Sequence, residues 1–312
     1  MTKANEYQDM TAEPSRERIL LFGATGQVGF ELQRSLAPLG ELVTPSRQEV
    51  DLTDTDALRM FLDVVRPDRI VNAAAWTGVD AAEEHAAEAR AINTRLSAVL
   101  AEYAAARDIW LVHYSTDYVY PGTGEAPWKE TDDPAPLSVY GQTKLEGDKA
   151  IEASGAKSLI FRTSWVYSAR GSNFMKTMLR LGAERDALKV VSDQIGSPTP
   201  ARLIAEVTAL ALHRLGGELA LSPGIYHLTP RGETSWHGFA REIFTQAIAN
   251  GHELAIDPTK VDPIPTADWP TPATRPLNSR LSLDRIEKAL GIRLPDWKAQ
   301  LALTLAELHT VS

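Results

Sequence analysis

RILLFGATGQVGFELQRSL, Arg18–Leu36, joins an apolar run to a stretch of helical periodicity through seven residues that contain three glycines. RILLF is short, continuous and apolar, which predicts a strand buried on both faces, and QVGFELQRSL has the i, i+3, i+4 spacing of an amphipathic helix. The turn between them is Gly23-Ala-Thr-Gly26-Gln-Val-Gly29. Gly23 permits a tight turn, Gly26 lets a bulky anion approach the backbone, and Gly29 lets helix and strand pack closely. The helix N-terminus behind such a turn faces a phosphate with its free N–H groups, so the junction predicts a dinucleotide site. The spacing is G-x-x-G-x-x-G and not the stricter G-x-G-x-x-G.

Outward from this junction the pattern repeats. ELVTPS reads as a second strand, DTDALRMFLDVVRP as a helix with an Asp cap, RIVNAAA as a strand, and Asp80 to Arg107 as one long Ala-rich helix. IWLVHYST, SLIFRTSWVY and KVVSD follow as strands, with helices at Tyr140 and around NFMKTMLRLGAE. Strict alternation implies right-handed crossovers and a parallel sheet covered on both faces. The predicted class is therefore α/β, a doubly wound parallel sheet of the Rossmann kind. Beyond about Ser197 the texture changes to a helix, a strand, another helix and the Pro-dense run DPTKVDPIPTADWPTPATRP. The expected division is an N-terminal extension over residues 1–17, a dinucleotide-binding domain over 18–196, and, over 197–312, mainly a small α/β substrate-binding subdomain, with some segments returning to the main domain.

Composition narrows the chemistry. The chain has 312 residues, 44% of them hydrophobic, a net charge of −9 and no cysteine. The acidic balance argues against nucleic acid, whose affinity comes from Lys and Arg displacing counterions. Absence of cysteine removes disulfides, thiolate metal sites and a Cys nucleophile. No apolar window approaches the roughly 18–20 residues of a membrane span, and MTKANEYQDMTAEPSRER lacks the apolar core of a signal peptide, so a disordered extension on a cytoplasmic protein is expected.

In a doubly wound sheet, ligands bind beyond the carboxyl ends of the strands. The second strand ends Pro45-Ser46-Arg47; a hydroxyl and a guanidinium suit the 2′-phosphate of NADPH, with NADH use left open. Asp51 and Leu52 follow, near the adenine. Asn72-Ala-Ala-Ala75-Trp76-Thr77 and His113-Tyr114-Ser115-Thr116-Asp117-Tyr118 close the third and fourth strands. Twenty-four positions after Thr116 comes Tyr140, and Lys144 lies four residues further, on the same helix face. A phenol near an ammonium is drawn from its ordinary pKa near 10 toward a range useful for proton transfer.

With LLFGATGQVGFELQRSL, VHYSTDYVYPGTGEAPWKETD, PLSVYGQTKLEGDKA, IFRTSWVYS, SDQIGSPTPA and TPATRPLNSRL, the chain resembles the extended short-chain dehydrogenase/reductases, and within them the reductases of dTDP-4-keto-6-deoxy sugars, from Ile19 to about Leu281. The resemblance implies hydride transfer from NAD(P)H to the 4-keto group of dTDP-4-dehydro-β-L-rhamnose, giving dTDP-L-rhamnose for polysaccharide synthesis, by a monomer or homodimer. It implies Tyr140 as proton donor, Lys144 on the nicotinamide ribose and Thr116 on the reacting group. It places the cofactor against Gly23, Gly26, Gln27, Val28, Gly29, Arg47, Asp51, Leu52, Ala75, Trp76, Thr77, Tyr114, Tyr140 and Lys144. Asp117 and Trp165 would contact the sugar, and Arg275, Asn278 and Ser279 the diphosphate. Some relatives bind magnesium at a dimer interface through an acid after the Pro-Thr turn; here Arg202 stands there, and Glu31 reads as a helix-surface residue, so no metal residue is assigned. The same resemblance carries two other readings. One is a nucleotide-sugar epimerase or 4,6-dehydratase holding NAD, but Thr116-Asp117-Tyr118 lacks the second carboxylate that dehydration uses. The other is a non-catalytic subunit like the regulatory subunit of methionine adenosyltransferase, against which the intact Thr116, Tyr140 and Lys144 argue.

Overall fold

A computed structural model describes residues 16–215 and 221–309. The predicted extension lies outside the described residues as far as residue 15. Glu17 belongs to the fold: its carbonyl accepts the Glu41 N–H and its carboxylate pairs with Arg69.

Strands β1 (Arg18–Phe22), β2 (Glu41–Val43), β3 (Arg69–Asn72), β4 (Trp110–Thr116) and β5 (Ser158–Thr163), with a sixth strand Gly224–His227, form one sheet in the order Gly224–His227, β5, β4, β3, β1, β2. Every pairing in it is parallel. Side chains alternate across β1: Ile19 and Leu21 enter the core on one face, Leu20 and Phe22 the core on the other, as a strand covered on both sides requires. Helix α1 (Gln27–Leu36) supplies Leu32 and Leu36 to the first core, whereas α2 (Thr55–Val65) supplies Leu58 and Leu62 to the second. Asp54 caps α2 by accepting the N–H groups of Asp56 and Ala57.

The predicted long helix is interrupted. α3 (Val79–Glu84) stops at His85, α4 (Ala86–Arg90) runs into a π turn at Ala91–Arg95, and α5 (Leu96–Arg107) completes the crossover. The extra residue of the π turn sits where Asn93 is buried: its side-chain oxygen accepts the Trp76 N–H, and its amide donates to the Trp76 carbonyl and to Thr143 Oγ1. Two polar groups in the strand-end loop are thereby satisfied by a helix that periodicity alone describes as continuous.

Helix α6 (Val139–Ser154) opens on Ser138, whose hydroxyl accepts the Gly141 N–H. α7 (Phe174–Glu184) packs into a third hydrophobic core made of Tyr167, Met175, Met178, Phe239, Ile243, Phe244, Trp297 and Leu301. Its strand pair is Leu188–Val191 with Val261–Ile264, so part of the Pro-dense run is sheet edge. Residues after 197 also serve the main sheet, through the strand Gly224–His227 and through α8 (Ala201–Arg214), which packs against α1. Among the described residues, no helix is long and apolar enough to cross a membrane.

Candidate active site

Phe22, Asn72 and His113 are direct neighbours across β1, β3 and β4, so the three loops that follow leave the sheet at one edge. The glycine turn occupies the first. Gly23 has φ +76°, and a Cβ on it would come within 2.6 Å of the Ala73 backbone. A Cβ on Gly29 would lie 2.0 Å from the Gly23 carbonyl oxygen. Gly26 is the N-cap of α1 and has no side chain to cap it, which leaves the first-turn N–H groups without intrahelical partners. The cradle therefore has the shape and polarity for a pyrophosphate. Gly29→Ala is expected to destabilise the protein by about 1–3 kcal/mol, because backbone has to move to admit the methyl. It should also weaken NADPH binding; thermal melts with and without cofactor measure both effects.

Other residues of the predicted cofactor set are placed unevenly. Gln27 Oε1 accepts from Ser168 Oγ and Asn173 Nδ2, tying α1 to the loop before α7, and Val28 packs its side chain into the first core. Arg47 is exposed at the end of the β2 loop. Asp51 accepts the N–H and hydroxyl of Thr53, bonds that hold its carboxyl below the usual range, and Leu52 packs on the second core. Ala75 and Trp76 are partly exposed and Thr77 is exposed at the β3 exit, where Asn93 holds the Trp76 backbone. Tyr114 does not turn its phenol to this edge. Its hydroxyl meets Thr208 Oγ1 at 2.9 Å on α8, and only its carbonyl faces the site.

Thr116, Asp117, Tyr140 and Lys144 come together. Thr116 Oγ1 donates to Asp117 Oδ1 at 3.0 Å, accepts the Tyr118 N–H and bonds the Tyr140 side chain. Tyr140 is half-buried with its ring edge-on to Tyr118. Burial pushes the Tyr140 phenol up to about 12, with Thr116 pulling it down and the nearby Asp117 and Asp148 adding to the rise. This differs from the sequence expectation of a phenol lowered by lysine. Lys144 Nζ donates to the Tyr114 carbonyl at 2.6 Å and sits 3.1 Å from His113 Nε2, and burial brings it down to about 8. Asp117 is pushed up to about 6 by burial, against hydrogen bonds from Ser279 and Thr116, and its Oδ2 has no partner among the described residues.

A cleft of about 710 Å³ is lined by Phe174, Met178, Leu188, Val190, Trp236 and Trp269 with Arg185, Lys189, Asp262 and Arg275, and Arg275 is near enough to act on the charge of Tyr118. Its aromatic walls and cationic rim suit a planar base carrying phosphates. Trp165, with φ +48°, stacks on Trp236 at 3.8 Å. Arg275 lines the cleft while forming a two-point ion pair with Asp80. Asn278 is not brought to it: its buried amide donates to the carbonyls of Thr123 and Ala126. Ser279 is buried beside Asp117 and not on the rim.

Three buried residues escaped sequence reasoning: Asn93, His113 and Asp148. Asp148 stands one turn after Lys144 and was legible as a third polar position on that helix face. Asn93 and His113 carry no local signal. Glu31 corrects an expectation. It is buried, not a helix-surface residue, and its carboxylate pairs with Arg202, which also pairs with Glu307. Among the described residues, no cluster of His, Cys, Asp and Glu could hold a metal ion.

A strand-end threonine facing a tyrosine and a lysine one helical turn apart, beside a glycine-turn cradle, is the arrangement of the short-chain dehydrogenase/reductases, and the added lobe puts this chain among their extended members. Residues 17–310 match the family model described as RmlD substrate binding domain, and the chain belongs to that family. It is 46% identical over 298 residues to the dTDP-4-dehydrorhamnose reductase of Shigella flexneri, covering 94% of this chain and 99% of the relative. The solved dTDP-4-dehydrorhamnose reductase from Clostridium acetobutylicum superposes with a TM-score of 0.86 at 35% identity, covering 94% of this chain and 99% of that one. A Bacillus anthracis dTDP-4-dehydrorhamnose reductase, solved in complex with NADP, gives 0.83 at 32% identity with the same coverage.

Proposed function

We propose that this protein is an NADPH-dependent reductase of dTDP-4-dehydro-β-L-rhamnose, forming dTDP-L-rhamnose. The observation that carries the reading is the meeting of Thr116, Tyr140 and Lys144 at the carboxyl edge of the sheet, the edge at which the glycine cradle also stands. The cradle of Gly23, Gly26 and Gly29 would hold the pyrophosphate of NADPH, a cofactor that would supply hydride to the keto carbon. Thr116 and Tyr140 hold the keto oxygen, and Tyr140 protonates it as the C4 hydroxyl forms. A phenol that keeps its proton to high pH is the correct state for that donation. In this reading Asp117 and Trp165 would orient the sugar, and Arg275, which lines the cleft, would meet the diphosphate. Arg47, exposed after β2, would meet a 2′-phosphate, with NADH a weaker alternative. The relatives are named as reductases of dTDP-4-dehydrorhamnose, and the Bacillus anthracis structure is a complex with NADP, which support this substrate and cofactor.

Supplying dTDP-4-dehydro-L-rhamnose and following NADPH absorbance tests the reading. Stoichiometric oxidation with dTDP-L-rhamnose as product supports it; no turnover at high enzyme concentration, with either NADPH or NADH, sinks it.

A further inference from the structure

Residues 270–276, the end of the Pro-dense run, have little backbone support of their own. Three of the seven are proline and have no N–H to donate. Among the described residues, no backbone–backbone hydrogen bond reaches this stretch; the flanking ones are Trp269 N–H to the Thr266 carbonyl before it and Ile195 N–H to the Leu277 carbonyl after it. A single carboxylate from the main sheet's side of the molecule supplies the anchor. Asp80, in the first turn of α3, accepts the Ala273 N–H at 3.2 Å and both ends of the Arg275 guanidinium, Nη1 at 3.0 Å and Nη2 at 2.8 Å. The hydrogen bonds from Arg275 hold the Asp80 carboxyl below its usual range, so it is a carboxylate at neutral pH.

This pairing decides which part of Arg275 stays available. Asp80 takes the end of the fork, and Nη1 directs its remaining proton inside the segment, to Thr271 Oγ1 and the Ala273 carbonyl. The side edge of the guanidinium, Nε–H with the second Nη2–H, is left without a partner among the described residues. Two parallel N–H groups of this kind bind a phosphate at two points, and Arg275 lines the cleft. We propose that Asp80 is the positioning residue for diphosphate binding: it holds the backbone of residues 270–276 and the far edge of Arg275, and so presents the free edge to the diphosphate of the sugar nucleotide. The inference rests on the reading of the cleft as a nucleotide-sugar site. The same short helix also reaches the proton donor. Glu83, one turn after Asp80, accepts at 2.9 Å the N–H of Val139, the first residue of α6 and the neighbour of Tyr140. One acid of α3 thus anchors Arg275 and the other the start of the Tyr140 helix, which ties the phosphate end of the substrate to the reacting end. The charge of Asp80 opposes an incoming diphosphate, but that charge is already paired, and its loss frees both a long side chain and the segment that carries it; positioning therefore outweighs repulsion.

Titration calorimetry of dTDP, and separately of NADPH, into the full-length protein tests the assignment. Asp80→Asn keeps the shape and loses the charge and one acceptor. It is expected to weaken dTDP about tenfold, to raise KM for the dTDP-keto sugar by a similar factor, and to leave NADPH affinity within about twofold. Arg275→Met should weaken dTDP at least as much, and adding Asp80→Asn to it should change dTDP affinity by less than about threefold, because Asp80 acts through Arg275. Unchanged or tighter dTDP binding by Asp80→Asn would overturn the proposal, the second by showing the carboxylate to be a competitor of the diphosphate. Equal losses of dTDP and NADPH, or additive losses in the double variant, would overturn it as well, since either means that Asp80 does not act through Arg275. A natural protein that binds dTDP but oxidises no NADPH with dTDP-4-dehydro-L-rhamnose removes the reductase reading and leaves the dTDP titrations to decide the role of Asp80; one that binds no dTDP overturns both.

Discussion

Tyr140→Phe lowers the turnover of NADPH oxidation by about a hundredfold or more, roughly 2.7 kcal/mol of transition-state stabilisation, while NADPH affinity stays within about twofold. The two halves of this expectation come from different contacts. Phenylalanine keeps the edge-on packing against Tyr118, and the N-terminal turn of α6 is held by Ser138, so the local fold survives the change. The hydroxyl that bonds Thr116 is lost, and with it the proton for the substrate oxygen. Lys144 is anchored by His113 and the Tyr114 carbonyl, not by Tyr140, so the lysine remains in place for the cofactor. Single-turnover kinetics and a fluorescence titration of NADPH measure the two quantities separately. Near-normal turnover would remove Tyr140 from the mechanism and turn attention to Asp117, whose raised carboxyl is the nearest other acid.

The parts of the site legible in the sequence are those that local geometry dictates. Gly23 and Gly29 stand where a Cβ would collide with backbone, and that demand is written into the first βα junction. The spacing of Tyr140 and Lys144 follows from one helical turn, and Thr116 from its place at a strand end. What the sequence concealed depends on which distant segments meet. The π turn exists because Asn93 reaches Trp76, seventeen residues away and on another element. Glu31 reads as a surface glutamate on α1 until α8 lays Arg202 against it. The family resemblance put Asn278 near the diphosphate, yet the carbonyls of Thr123 and Ala126 claim its amide. Tyr114 alternates correctly along β4, but its phenol finds Thr208 on α8. Periodicity fixes a side chain's face and leaves its partner to the tertiary fold.

Asp148→Ala is expected to lower the free energy of unfolding by about 3–5 kcal/mol, because it strands a buried guanidinium. Both partners of the Asp148–Arg162 pair are inaccessible, with side chains 0% and 3% exposed and 3.1 Å between Nε and Oδ2. Ser115 Oγ donates to the same oxygen, and Arg162 Nη1 donates to Tyr120 Oη, which also meets His227 Nε2 at 2.7 Å. Asp148 Oδ1 has no partner among the described residues, and burial raises the Asp148 carboxyl, so the pair is incompletely satisfied even when intact. Such a pair need not contribute much net stability, yet removing one partner alone is costly, since the remaining charge keeps its full desolvation penalty. Adding Arg162→Met to Asp148→Ala should therefore recover at least half of the loss. Urea denaturation of the four proteins in the cycle gives the coupling directly. A double variant no more stable than Asp148→Ala would mean that the loss comes from the packing of the Asp148 side chain and not from the uncompensated charge. The variants also bear on chemistry. With Asp148 gone, the carboxylate that favours a charged Lys144 is lost and the ammonium gives up its proton at lower pH. Stability should thus recover in the double variant while the Lys144 titration stays shifted, because the uncompensated guanidinium governs the first and the lost carboxylate the second.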